Sequence, residues 1–256
     1  MLYGATQANP NSSTVFSLQP GSGLLPSINA GGVVNAASYT APIAPGSIAS
    51  AFGDYFVSSP LSASQSPLPT DISGLSLQFD DRTQAPLFFV SGRQVNFQVP
   101  WEMSGQSGTL TAAINGQTGA AQALLLAPVA PAIFTTNASG SGQGAILDTS
   151  YHLVDSTNPV AARSYVLIYC TGLGEVGNQP ATGSPAPSDP LAWSATPTVT
   201  IGGAAANVQF SGLAPGYVGL YQVNAQVPAG SATGSAVPVV ISMGSAKSNT
   251  VTMAVE

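Results

Sequence analysis

The heptapeptide "QVNFQVP" at 94–100 returns as "QVNAQVP" at 222–228. In the first copy Val95, Phe97 and Val99 share one parity and Gln94, Asn96 and Gln98 the other; the second repeats this with Val223, Ala225 and Val227 against Gln222, Asn224 and Gln226. Alternation with a period of two puts apolar side chains on one face of a strand and amides on the other. The closing proline, which has no N–H to donate, ends the ladder. A strand of this kind buries one face only, so each copy needs a second layer to pack against.

The flanks repeat as well. Upstream lie "APGSIASAFGDYF" (44–56) and "AARSYVLIYCTGLGEV" (161–176), each an entry of small residues, an apolar strand and a turn. Ile48, Ser50 and Phe52 in one are placed against Val166, Ile168 and Cys170 in the other, within about one residue of register. Next come "ISGLSLQFDDRTQAPLFFV" (72–90) and "TPTVTIGGAAANVQFSGLA" (196–214), two strands each, turning at Asp80-Asp81 and at Gly202-Gly203. Downstream of each heptapeptide a further hairpin turns at Asn115-Gly116 or near Gly244. Asn-Gly between alternating runs is a strong signal for a two-residue hairpin loop.

Two copies of a β unit account for most of the 256 residues, and helical periodicity is almost absent. The expected fold is all-β: two tandem immunoglobulin-like β-sandwich domains, 31–135 and 136–256, with the Gly/Ser-rich stretch 135–144 between them. Residues 1–30 form an N-terminal extension. It shows no basic or apolar leader region, and "STVFSL" (13–18) reads as an extra strand.

Charged residues make up 5% of the chain. Its four bases, Arg82, Arg93, Arg163 and Lys247, cannot neutralise a phosphate backbone or anchor to an anionic membrane, which excludes nucleic-acid partners. No run reaches the roughly 20 apolar residues a spanning helix needs. Sheet edges with so few charges lack the usual guard against pairing with another chain. Together with the Ser, Thr, Gly and Pro content, this favours an extracellular or cell-surface protein.

Catalytic constellations are thin. His152, the one histidine, lies near Asp148 and Asp155, but no nucleophile elbow accompanies it. "DTSYHLVDS" (148–156) reads as a hairpin whose turn-facing polar residues are solvated. Cys170, the lone cysteine, lies in an apolar strand and reads as a buried thiol. Asp80, Asp81 and Asp148 are the candidate calcium oxygens, without the loop pattern calcium sites use. Gly172 and Gly174 read as turn glycines, since no helix follows to make a phosphate cradle. No enzyme and no cofactor is expected. Asn11 and Asn137 lie in glycosylation sequons.

"GGVVNAASYTAPIAPGSIASAFG", "APLFFVSGRQVNFQVPWE", "VLIYCTGLGEV" and "GLAPGYVGLYQVNAQVPAG", with the "AVPVVISMGSAKSNTVTMAV" that follows, together resemble a C-terminal region of large secreted acidobacterial proteins. The strand-turn pieces are similar to the IPT/TIG branch of immunoglobulin-like domains. The resemblance covers 31–256 and implies secretion and a sandwich fold; it supplies no catalytic residues.

Two functions follow as expectations. The first is a non-enzymatic structural subunit that self-assembles into a filament or surface layer. Its N-terminal strand, with Thr14, Val15, Phe16 and Leu18, would enter a neighbour's sheet. The second is an adhesion or carbohydrate-binding module in which Trp101, Trp193 or Tyr221 stacks on sugar rings.

Overall fold

The computed structural model describes residues 25–80 and 82–256, together with the backbone of Tyr3–Ala5 and Val15–Ser17. It is all-β, two immunoglobulin-like sandwiches in tandem preceded by an N-terminal strand pair. In the first sandwich one sheet runs Ser27–Asn35, Ile48–Asp54, Gln94–Gln98, Leu87–Val90 and Leu61–Ser62 in spatial order. The facing sheet pairs Leu75–Phe79 with one edge of Ser107–Ile114 and Gln122–Leu125 with the other. Leu75, Leu77, Phe79, Leu87, Val95, Phe97 and Leu110 fill the space between them.

In the second sandwich Tyr165–Thr171 pairs Tyr221–Gln226, which pairs Ala204–Leu213. That last strand serves both layers. Through Ala204–Ala206 it pairs Thr198–Ile201, and from Asn207 onward it pairs Tyr221–Gln226, with a bulge between Val208 and Phe210. Bulges bend a strand and sharpen its twist, so one strand can leave one sheet and enter the other. The first sandwich repeats the device: Ala85 N–H donates to Leu77 O in one layer, and Leu87–Val90 then joins the other with a bulge between Leu87 and Phe89.

The heptapeptides behave as their alternation requires. Val95, Phe97 and Val99, and likewise Val223, Ala225 and Val227, are buried. On the amide face the same bond forms in both copies, Gln94 Nε2 donating to Asn96 Oδ1 and Gln222 Nε2 to Asn224 Oδ1, each at 2.7 Å. The turns match too. Asn115 and Gly116 have φ of 49° and 78°, and Gly202 and Gly203 have 61° and 82°, the left-handed pairs of a two-residue hairpin loop.

The strands upstream of the heptapeptides align at an offset of one residue, the limit of the expected register. Across from Val95 stands Ala51, and across from Val223 stands Ile168. The core parity of the first strand is therefore Ala49 and Ala51, not Ile48 and Phe52. The outward residues are apolar because something covers them: Phe52 meets the Tyr39 ring at 6.2 Å, and Ile48 lies against the second sandwich.

The two sandwiches meet in a hydrogen-bonded seam. Asn35 Nδ2 donates to Ala130 O, and the buried Thr171 hydroxyl accepts from Ile48 N–H and donates to Gly219 O, each at 2.9 Å. Gly183 N–H donates to Gln98 Oε1 at 2.7 Å. The stretch 135–144, Gly/Ser-rich in sequence, is fixed rather than loose. Thr135 Oγ1 accepts from the Ser139 and Gly140 N–H groups, and Asn249 Nδ2 donates to Gly140 O and Ile133 O. Ala132–Ile133 already pairs with Tyr165–Thr171, so the crossing between sandwiches falls at Pro128 and Val129. After the first heptapeptide stands Trp101; after the second, Ala229. The Trp101 backbone N–H donates to Thr182 Oγ1 at 3.1 Å, across the seam.

Candidate functional site: an aromatic face on the second sandwich

The outward face of Tyr165–Thr171 and Tyr221–Gln226 carries Tyr169 directly opposite Gln222. Opposed residues of an antiparallel pair project to the same side, and here Ile168 and Cys170 point the other way, into the core. Two turns bring further tyrosines over this face. In the first, the Asp148 carboxylate accepts from the Ser150 and His152 N–H groups at 2.8 and 3.0 Å and from Asn158 Nδ2 at 3.1 Å. This holds Tyr151 at a left-handed φ of 64° with its side chain outward. In the second, Tyr217 N–H donates to Ala214 O, and Tyr217 O accepts from Ala186 N–H.

Tyr151, Tyr169 and Tyr217 then surround a concavity of about 540 Å³, floored by Leu147 and Leu220 and walled by Gln222. Tyr151 and Tyr217 are 69% and 59% exposed, so their ring faces are open to solvent. Burial pushes the Tyr169 phenol above its ordinary range, and the nearby Tyr151 and Tyr217 hydroxyls add to the shift. The Tyr151 and Tyr217 hydroxyls each lie within electrostatic reach of the Tyr169 hydroxyl. Such a site offers ring faces, phenolic hydroxyls and an amide, and no charge.

The Asp148 turn has a pH consequence. Hydrogen bonds, first from the His152 backbone and then from the Asn158 side chain, lower the Asp148 carboxyl below its ordinary value. A depressed folded-state value contributes stability that is complete above the unfolded-state value and is lost as pH falls through the folded one. The Ser150 and His152 amides are expected to keep their hydrogen-exchange protection at neutral pH and to lose it below about pH 4. Protection that persists once the carboxyl has protonated contradicts this role for Asp148.

The sequence-derived candidates fare differently. Tyr221 is fully buried, on the parity of Val223 and Ala225, and its hydroxyl donates to Gly174 O. Its ring has no face to offer a sugar, which corrects the expectation. Trp101 is half-buried and packs against the core of the second sandwich, beside a seam cleft of about 450 Å³. Trp193 is 64% exposed, beside a second concavity. Thr14 and Leu18 lie outside the described residues, as do Asn11 and Asp81. Val15 and Phe16 stand opposite Ala5 and Gly4 in a two-stranded sheet separate from both sandwiches. Asn137 is exposed, and its Oδ1 accepts from Ser139 N–H and Oγ.

His152 Nδ1 lies 3.7 Å from Asp148 Oδ2 at the surface, but that carboxylate is already engaged by its own turn. Asp80 Oδ2 accepts from Thr109 N–H. Among the described residues no three His, Cys, Asp or Glu side chains gather as metal ligands, and no helix is long and apolar enough to cross a membrane. Cys170 is buried, which pushes its thiol far up and leaves it unreactive.

No protein-family model matches the chain, and no curated protein matches it in sequence. Among solved structures it is similar to SGBP-B of the Bacteroides ovatus mixed-linkage glucan utilization locus, in complex with a heptasaccharide. There the identity is 9% over 100% of this chain and 53% of that one, with a TM-score of 0.36. SGBP-B from a Bacteroides uniformis xyloglucan utilization locus is 12% identical over 90% and 49%, with a TM-score of 0.28. Domains 5-6 of the S-layer protein SbsC are 14% identical over 90% and 98%, with a TM-score of 0.26. The chain spans about half the length of the two glucan-locus proteins.

Proposed function

We propose that this is a non-enzymatic extracellular protein that binds neutral polysaccharide on the outer face of its second sandwich. The convergence of Tyr151, Tyr169 and Tyr217 around an uncharged concavity beside Gln222 carries the reading. Aromatic faces stack against the C–H faces of pyranose rings, and amide and phenol groups hydrogen-bond their hydroxyls. A site without a cation gives an anionic polysaccharide no partner. In affinity gel electrophoresis, migration is expected to be retarded by a neutral β-glucan and not by alginate. Tyr217→Ala and Tyr151→Ala are each expected to weaken the retardation by about tenfold in affinity, the loss of one aromatic anchor. Equal migration with and without glucan, or stronger retention by alginate, overturns the proposal.

A second reading is self-assembly into a filament or surface layer by donation of the N-terminal strand. The observation favouring it is that Val15–Ser17 pairs with Tyr3–Ala5 and joins neither sandwich sheet. A short strand that pairs with neither sandwich sheet, on a chain whose edges carry few charges, suits strand addition to a neighbour. Negative-stain microscopy is expected to show filaments that disappear when residues 1–25 are deleted. A truncated protein that assembles equally well removes this reading.

A further inference from the structure

The tyrosine concavity sits at one end of a longer feature. Tyr169 stands opposite Gln222, Gln222 opposite Gly212, and Gly212 opposite Trp193. One row of residues thus crosses four strands, and at about 4.8 Å per strand its ends lie no more than about 14 Å apart. At the Trp193 end a concavity of about 330 Å³ is lined by Trp193, Gln209 and Phe210. Phe210 belongs to the same face, because it stands opposite Asn224.

The middle of the row is polar. Gly212 is buried: a Cβ there would lie 2.1 Å from Ala192 O and 2.9 Å from Trp193 Cα, so backbone of the strand bearing Trp193 fills the space a side chain would take. The Gln222–Asn224 bond uses one group of each amide, leaving Gln222 Oε1 and Asn224 Nδ2 to other partners. Neither concavity is lined by a charged side chain.

We infer that the two concavities are the ends of one track, and that its occupant is an internal stretch of a neutral, unbranched polysaccharide laid across the strands. Sugar rings rest on the tyrosines at one end and on Trp193 and Phe210 at the other. The amides between them meet the hydroxyls of the intervening unit. Equatorially substituted pyranoses fit best, since both ring faces then present C–H groups to the aromatics. This inference rests on the tyrosine face being glycan-binding.

The test is isothermal titration with a ladder of neutral β-linked gluco-oligosaccharides, from disaccharide to hexasaccharide, against wild type, Trp193→Ala and Tyr217→Ala. Trp193 is exposed, so its replacement leaves the fold intact, which circular dichroism checks. Affinity is expected to rise with chain length and then level off. Trp193→Ala should flatten that rise, losing about tenfold on the hexasaccharide and nothing on the disaccharide, whereas Tyr217→Ala should weaken both. Length-independent binding, or a Trp193→Ala hexasaccharide affinity equal to wild type, overturns the track while leaving the tyrosine site standing. Absence of binding across the whole ladder overturns both.

Discussion

Gly172→Ala is expected to destabilise the protein by about 3–5 kcal/mol, combining left-handed backbone strain with overpacking. Gly172 has a φ of 81°, and a Cβ there would lie 2.0 Å from Ala130 O. That oxygen belongs to the crossing between the sandwiches, where no flexible side chain can yield in its place. Ala130 N–H donates to Gly172 O, and Ala130 O accepts from Asn35 Nδ2, so a methyl group here drives apart the segments that tie the two bodies. Urea denaturation reads the change. A loss below about 1 kcal/mol, within the range of ordinary surface substitutions or little more, shows the crossing to be looser than described.

Thr171→Val is expected to cost about 2–4 kcal/mol, because it keeps the shape of a buried side chain and deletes its hydroxyl. Ile48 N–H then loses its acceptor and Gly219 O its donor, and a buried polar group left unpaired costs roughly 1–3 kcal/mol. The two groups belong to different sandwiches, so the change also loosens the seam. Thr171→Ser retains the hydroxyl and is expected to recover most of the loss; equal destabilisation by Val and Ser assigns the effect to packing instead.

The duplication and its turns were legible because they depend on local chemistry. Asn115-Gly116 and Gly202-Gly203 are left-handed pairs, and the two heptapeptides bury the parity their alternation marks. Parity also held information that residue type obscured. Tyr221 shares the inward parity of Val223 and Ala225, and Tyr165, Leu167 and Tyr169 share the outward one, so the outward ring is the half-buried Tyr169 and not Tyr221. In Ile48–Asp54 the reverse occurred: large apolar residues face outward because a second domain and the Tyr39 ring cover them, and two alanines face the core.

What the sequence did not disclose was tertiary. Tyr151 and Tyr217 reach the face of Tyr169 through turns from separate parts of the chain, and no spacing encodes that meeting. Composition likewise marked 135–144 as a linker, but Thr135 and Asn249 supply the side-chain bonds that order it.

Backbone amide shift mapping with a neutral gluco-hexasaccharide reads out directly whether glycan binds on the outer face of the second sandwich. Binding there predicts perturbations at 148–152, 165–171, 214–217 and 221–226, joined by the Trp193 indole. Perturbations confined to the seam around Trp101 or to the first sandwich, or none at millimolar ligand, contradict it.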